Sequence, residues 1–60
     1  MTIQNLPKFI GYNDYIVARW VDGEYWYWGT YRTALDADRA AAAIDGDVFT
    51  PDEIAENRRF

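Results

Sequence analysis

The chain has no histidine, no cysteine and no serine. A Ser-His-Asp or Cys-His relay therefore has no members. The usual nitrogen and sulfur ligands of zinc are missing as well. Carboxylates are what remain for chemistry: ten Asp and Glu stand against six Lys and Arg, a net charge of −4, and Lys8 is the only lysine. Paired carboxylates suit glycoside hydrolysis or a hard cation, but a single layer of 60 residues offers little concavity for a substrate. Asp45-Gly46-Asp47-Val48 through Asp52 has the outline of the back half of a calcium loop. The preceding ligand positions fall on Ala41 and Ala43, which cannot coordinate, and the closing ligand would be Asp52 where Glu is usual. The segment reads more simply as a helix end, a strand and a helix start. No catalytic residue, cofactor or metal is expected.

The charges are unevenly spread. Residues 33–57 hold Asp36, Asp38, Asp45, Asp47, Asp52, Glu53 and Glu56 against Arg39 alone. Such a surface disfavours nucleic-acid phosphates and anionic membranes and favours a basic partner. No run approaches the ~20 apolar residues needed to span a bilayer. The segment MTIQNLPKF lacks the charged and apolar regions of a secretory signal. A cytoplasmic location is the expectation, and the absence of cysteine fits it.

Sixty residues make one small domain, 1–60, that buries only about 60% of its unfolded surface. With no disulfide available, the aromatic content of 18% or self-association must supply the missing stability. Most of that content lies in residues 15–31, YIVARWVDGEYWYWGTY, which read as one β-hairpin about Asp22-Gly23. Asp-Gly between two β-rich runs is the strongest short-range hairpin signal, because both central residues of a type I′ turn need φ > 0. Alternation then puts Tyr15, Val17, Arg19, Val21, Glu24, Trp26, Trp28 and Thr30 on one face. Ile16, Ala18, Trp20, Tyr25, Tyr27, Gly29 and Tyr31 fall on the other. The second face carries no charge, so it is the expected core face, with Trp20 inside it. A β-bulge at Gly29 would flip the parity beyond it. One helical layer cannot cover both faces, so the face with Tyr15, Arg19, Glu24, Trp26 and Trp28 is expected to be open and to bind a partner.

Residues 1–7 read as a loose arm and Lys8–Tyr12 as a short edge strand, joined to the hairpin through Asn13-Asp14. Thr33 is the expected N-cap of a helix from Ala34 to Ile44. Its stripe of Ala34, Ala37, Ala40, Ala41 and Ile44 suits close packing on bulky sheet side chains, and Leu35 points away. Gly46 is the expected left-handed residue at its end. Asp47–Thr50 reads as a strand lying beside 15–21 and parallel to the second hairpin strand. Thr50-Pro51-Asp52-Glu53 is a capping box with Pro at the first helical position, opening a short helix Pro51–Asn57. Arg58 and Arg59 fall near its negative end. The whole is an α+β domain with a small antiparallel sheet packed on an alanine-rich helix.

Gly29-Thr30-Tyr31-Arg32-Thr33-Ala34-Leu35-Asp36-Ala37-Asp38-Arg39-Ala40 resembles a segment of the plant ethylene-responsive-factor DNA-binding domains, and is similar to the arm-binding domains of tyrosine recombinases. The resemblance covers about a fifth to a quarter of the chain and implies a three-stranded sheet backed by a helix, set into the DNA major groove. Those families use Arg and Trp on the exposed sheet face. Here Arg19 is the only basic residue of the hairpin before Arg32, so the salt-dependent phosphate term is missing.

The expected function is therefore that of a small acidic protein, not an enzyme, which binds a protein partner. Its surface would be the aromatic sheet face with Tyr15, Arg19, Glu24, Trp26 and Trp28, or an acidic helical surface probed by Asp38 and Glu56. By analogy of class, such proteins include phage or mobile-element inhibitors of host nucleic-acid enzymes, of the anti-CRISPR or anti-restriction type. The alternatives are a DNA-binding sheet-plus-helix module and a structural homodimer.

Overall fold

The computed structural model describes residues 3–57, with side chains for residues 3–55. Along the chain run β1 (Ile3–Gln4), β2 (Tyr15–Val21), β3 (Glu24–Tyr31), α1 (Ala34–Ile44), β4 (Asp47–Phe49) and α2 (Pro51–Asn57). The four strands form one sheet in the order β1-β3-β2-β4. Arg58 and Arg59, expected near the end of the last helix, lie outside the described residues.

The hairpin is organised by its turn. Asp22 and Gly23 have φ of 51° and 83°, both positive as a type I′ turn requires, and Val21 pairs with Glu24. Trp20–Tyr25, Arg19–Trp26 and Ala18–Tyr27 follow in the expected register. The register then shifts, so that Val17 pairs with Gly29, Ile16 with Thr30 and Tyr15 with Tyr31. Trp28 is the extra residue of a β-bulge. The bulge moves Thr30 to the face of Ile16 and brings Gly29 and Tyr31 to the face of Val17, the reverse of simple alternation. Tyr31 folds over Gly29: a Cβ on Gly29 would meet the Tyr31 hydroxyl at 2.9 Å.

The consecutive residues Ile16, Val17 and Ala18 are all fully buried. Successive residues face opposite sides of a sheet, so both faces are covered at this level. Helix α1 covers one, with Ala37 and Ala41 on Val17 and with Tyr15, Tyr31, Ala40, Ile44 and Val48 around them. On the other face Ile3, Ile16, Ala18, Phe49 and Ile54 make a second cluster, flanked by Leu6, Ile10, Tyr25 and Tyr27. Helix α2 and the N-terminal segment thus do for this face what α1 does for its opposite. This corrects the expectation of one buried and one open face. Burying a side chain the size of Ile or Val is worth about 1.5–3 kcal/mol, so two small clusters share the task of one core.

The helix ends follow local chemistry. The Asp36 N–H donates to Thr33 Oγ1 at 3.1 Å, and Thr50 and Glu53 exchange bonds of 3.0 and 3.3 Å in the capping box. At the end of α1 the left-handed residue is Asp45, φ 56°, rather than Gly46. The Gly46 N–H donates to the Ala41 carbonyl at 2.8 Å, closing a Schellman-type turn. Gly46 is needed for a different reason: a Cβ there would lie 2.9 Å from the Ala18 carbonyl oxygen. The chain then enters β4, which runs antiparallel to β2 with Val17 opposite Val48, in the expected place.

The N-terminal segment departs from expectation. Ile3–Gln4, assigned to a loose arm, pairs in parallel with Tyr25–Trp26, so the sheet is mixed rather than antiparallel. Ile3 is buried, and that burial is what holds this short strand. Lys8–Tyr12 forms no strand. Asn5 has φ 63° and ends β1, and Gly11 and Asp14 close a turn through bonds of 3.1 and 3.0 Å.

Candidate functional site

The open surface lies where the sheet outruns its covers. Helix α1 sits over the Tyr15–Val17 end of β2 and over Val48 of β4. Toward the hairpin turn and toward β1, no described element covers the same face. Trp26 is 44% exposed and Trp28 53% exposed. Trp26 has Arg19 as its neighbour on β2 and Gln4 as its neighbour on β1. Glu24 and Val21, both exposed, complete the turn end. Exposed Arg19, Glu24, Trp26 and Trp28 on two paired strands offer apolar area with a polar rim, which is the make-up of protein-binding patches.

Three of the expected site residues, Arg19, Glu24 and Trp26, thus belong to one end of one face, and Trp28, the extra residue of the bulge, is exposed two positions along the same strand. Tyr15 does not join them. It is half-buried and packs in the α1 cluster, because the helix lands on the face expected to be open. Asp38 is exposed on α1. Glu56 belongs to α2, and its side chain lies outside the described residues. The two helices cover opposite faces of the sheet, so Asp36 and Asp38 belong to the helix on one face and Asp52 and Glu53 to the helix on the other.

Trp20 was expected in the core, but it is 55% exposed on the α2 face. There it meets the Tyr25 ring edge-to-face, with centroids 4.7 Å apart. Tyr25 meets Phe49 in the same manner at 5.0 Å, and its hydroxyl donates to Asp47 Oδ2 at 2.8 Å. Tyr25 therefore crosses β2 from β3 to β4. Small Ala18, opposite both Tyr27 and Asp47, leaves the room. The hydrogen bond to Asp47, then burial, then the carboxylate charge hold the Tyr25 phenol above its ordinary pKa. Among the described residues no polar or charged side chain is buried.

Phe9 and Tyr12 are almost wholly exposed on the segment before β2, and sequence reasoning did not single them out. Their neighbours are turn formers with no periodicity that would mark a surface. A small apolar groove beside them is lined by Ile10, Gly11, Tyr12, Pro51, Ile54 and Ala55. It lies between the N-terminal segment and α2, on the side of the sheet away from Trp26.

The architecture defines a small α+β domain, a four-stranded mixed sheet with one helix on each face. No protein-family model, curated protein or solved structure matches the chain. No helix of the described residues is long and apolar enough to cross a membrane.

Proposed function

We propose that this chain is a non-enzymatic binding protein whose partner is another protein, held on the end of the α1 face that no described element covers. The observation that carries the reading is the pair Trp26 and Trp28, each about half exposed on a strand whose face α1 leaves uncovered there. Exposing two indoles leaves apolar area in water that a partner would bury, and Trp dominates binding energy at interfaces. Arg19 and Glu24 at the rim set orientation more than affinity. The acidic balance of −4 favours a basic partner surface, as an enzyme that handles nucleic acid would present. The biological class that fits is an inhibitor of phage or mobile-element origin acting in the cytoplasm. The test is capture of a partner from the source cells by wild type and by a Trp26→Ala/Trp28→Ala variant, both fully folded at the temperature of the capture. Selective loss by the variant supports the reading.

A homodimer is the second reading, and one observation favours it. Strand β1 pairs only with Tyr25 and Trp26, so the outer edge of β3 from Tyr27 to Tyr31 has no strand beside it among the described residues. An uncharged open edge invites pairing with a second copy, although the bulge at Trp28 twists it away from regular pairing. The solution mass separates this reading from the first.

A further inference from the structure

We infer that Trp20 and Asp47, on the α2 face, form a seat for one arginine side chain of a protein partner. The inference takes its biological meaning from the protein-binding reading above, but it uses different residues on the opposite face of the sheet.

Trp20 is more than half exposed although its ring is held against Tyr25 at 4.7 Å and 73°. Tyr25 in turn is fixed at its far end by the 2.8 Å bond to Asp47 Oδ2 and by its contact with Phe49. One ring thus braces both the indole and the carboxylate. Asp47 sits opposite Ala18, and Trp20 is two residues along the same strand on the same face. Such diagonal neighbours lie about 7–8 Å apart at the backbone, a gap that a planar guanidinium spans with its face on an indole and its fork on a carboxylate. Asp47 has Tyr25 as its partner and no lysine or arginine ion pair among the described residues. Arg19, next to Trp20 in the chain, faces the other side of the sheet with Trp26. Among the described residues the seat is therefore anionic, rigid and without a cation. An arginine fits it better than a lysine because the guanidinium stacks and forks at once, whereas an ammonium is a strongly hydrated point charge.

The experiment is a two-dimensional amide and indole NMR titration of the whole chain. The probe is a capped Gly-Arg-Gly peptide, with Gly-Lys-Gly as comparison. The expected result is saturable shifts at the Trp20 indole and the Asp47 amide, weaker with the lysine peptide, while the Trp26 and Trp28 indoles stay in place. Asp47→Asn keeps an acceptor for Tyr25, and Trp20→Leu keeps apolar bulk. Each should weaken the arginine peptide about two- to fivefold, as the loss of one exposed cation–π or charge contact does. The Trp26→Ala/Trp28→Ala variant should bind the peptide as wild type does, so loss of partner capture and loss of this seat are separate events. Shifts spread over Asp36, Asp38 and Asp52 without saturation, or unchanged affinity in both seat variants, would overturn the inference.

Discussion

The Tyr25 hydroxyl donates to Asp47 Oδ2 at 2.8 Å, tying β3 to β4 across the intervening strand β2. The bond has a pH signature. The phenol of Tyr25 titrates above its ordinary value in the folded protein, chiefly because its proton is shared with Asp47. A folded-state value raised above the unfolded one contributes stability that is present below about pH 10 and is lost as the pH rises through the folded value. Tyr25→Phe should cost about 0.5–1.5 kcal/mol at neutral pH, the net worth of one hydrogen bond. Denaturant melts from pH 7 to 11 should show the two proteins converging above pH 10. A gap that stays constant would show that the bond does not contribute in this way.

The turn is the second point of test. Gly23 has φ 83° with nothing within 4 Å of where a Cβ would stand, so a substitution there is opposed by backbone conformation alone. Gly23→Val should cost about 1–3 kcal/mol, the usual range for a bulky residue held in a sparsely populated conformation. Asp22→Asn should be nearly neutral, since Asn tolerates the left-handed region as well as Asp does. Melting of Gly23→Val within a degree or two of wild type would contradict the turn assignment.

The two residues after α1 make opposite predictions. Gly46→Ala would press a methyl onto the Ala18 carbonyl at 2.9 Å, and should cost about 1–3 kcal/mol as overpacking does. Asp45→Gly relieves a left-handed residue and should stabilise by up to about 1 kcal/mol. Thermal melts of the pair decide this; the same sign for both would show that the end of α1 has been misread.

These residues also show what the sequence made legible. The turn at Asp22-Gly23, the Thr33 and Thr50 caps and the alanine stripe of α1 depend on neighbours within a few positions, and each stands where its residues indicated. The placement of β4 beside β2 followed from chain direction and handedness. The bulge at Trp28 did not. It depends on which helix packs on Val17 and on Tyr31 covering Gly29, and Gly29 alone only raised the question. The parallel pairing of Ile3 with Tyr25 joins residues 22 positions apart through one buried side chain, with no periodicity to announce it. Sequence reasoning put Tyr15 on the open surface and Trp20 in the core because it had no way to see that α1 takes the Val17 face and α2 its opposite.

The tryptophans convert that correction into numbers. Ile16→Ala removes a fully buried side chain and should cost about 2–5 kcal/mol. Trp20→Ala, Trp26→Ala and Trp28→Ala each truncate a side chain about half in water, and each should cost less than Ile16→Ala. Trp20→Ala should be the most damaging of the three, because it also removes the Tyr25 edge contact, worth about 0.5–1.5 kcal/mol. Denaturant melts giving Trp26→Ala a larger loss than Ile16→Ala would place Trp26 in the core and remove it from the binding surface.

The acidic side chains should act on rate rather than on stability. Asp38→Asn with Glu56→Gln removes two charges that stand beyond the first turns of their helices. The melting temperature should hold, while association with a basic partner slows, more at low salt than at high salt, because rim charges steer encounter. Unchanged association at low salt would leave the aromatic end of the sheet as the sole binding determinant.

The most direct test of the central claim is one paired experiment on wild type and Trp26→Ala/Trp28→Ala. It combines quantitative capture from the source cells with solution mass measured by light scattering. Wild type is expected to have the mass of a single chain and to retain a stoichiometric protein partner which the variant releases, with both proteins fully folded at the temperature of the capture. Identical partners retained by both would contradict the claim. So would a wild-type mass of two chains that falls to one in the variant, with no partner captured.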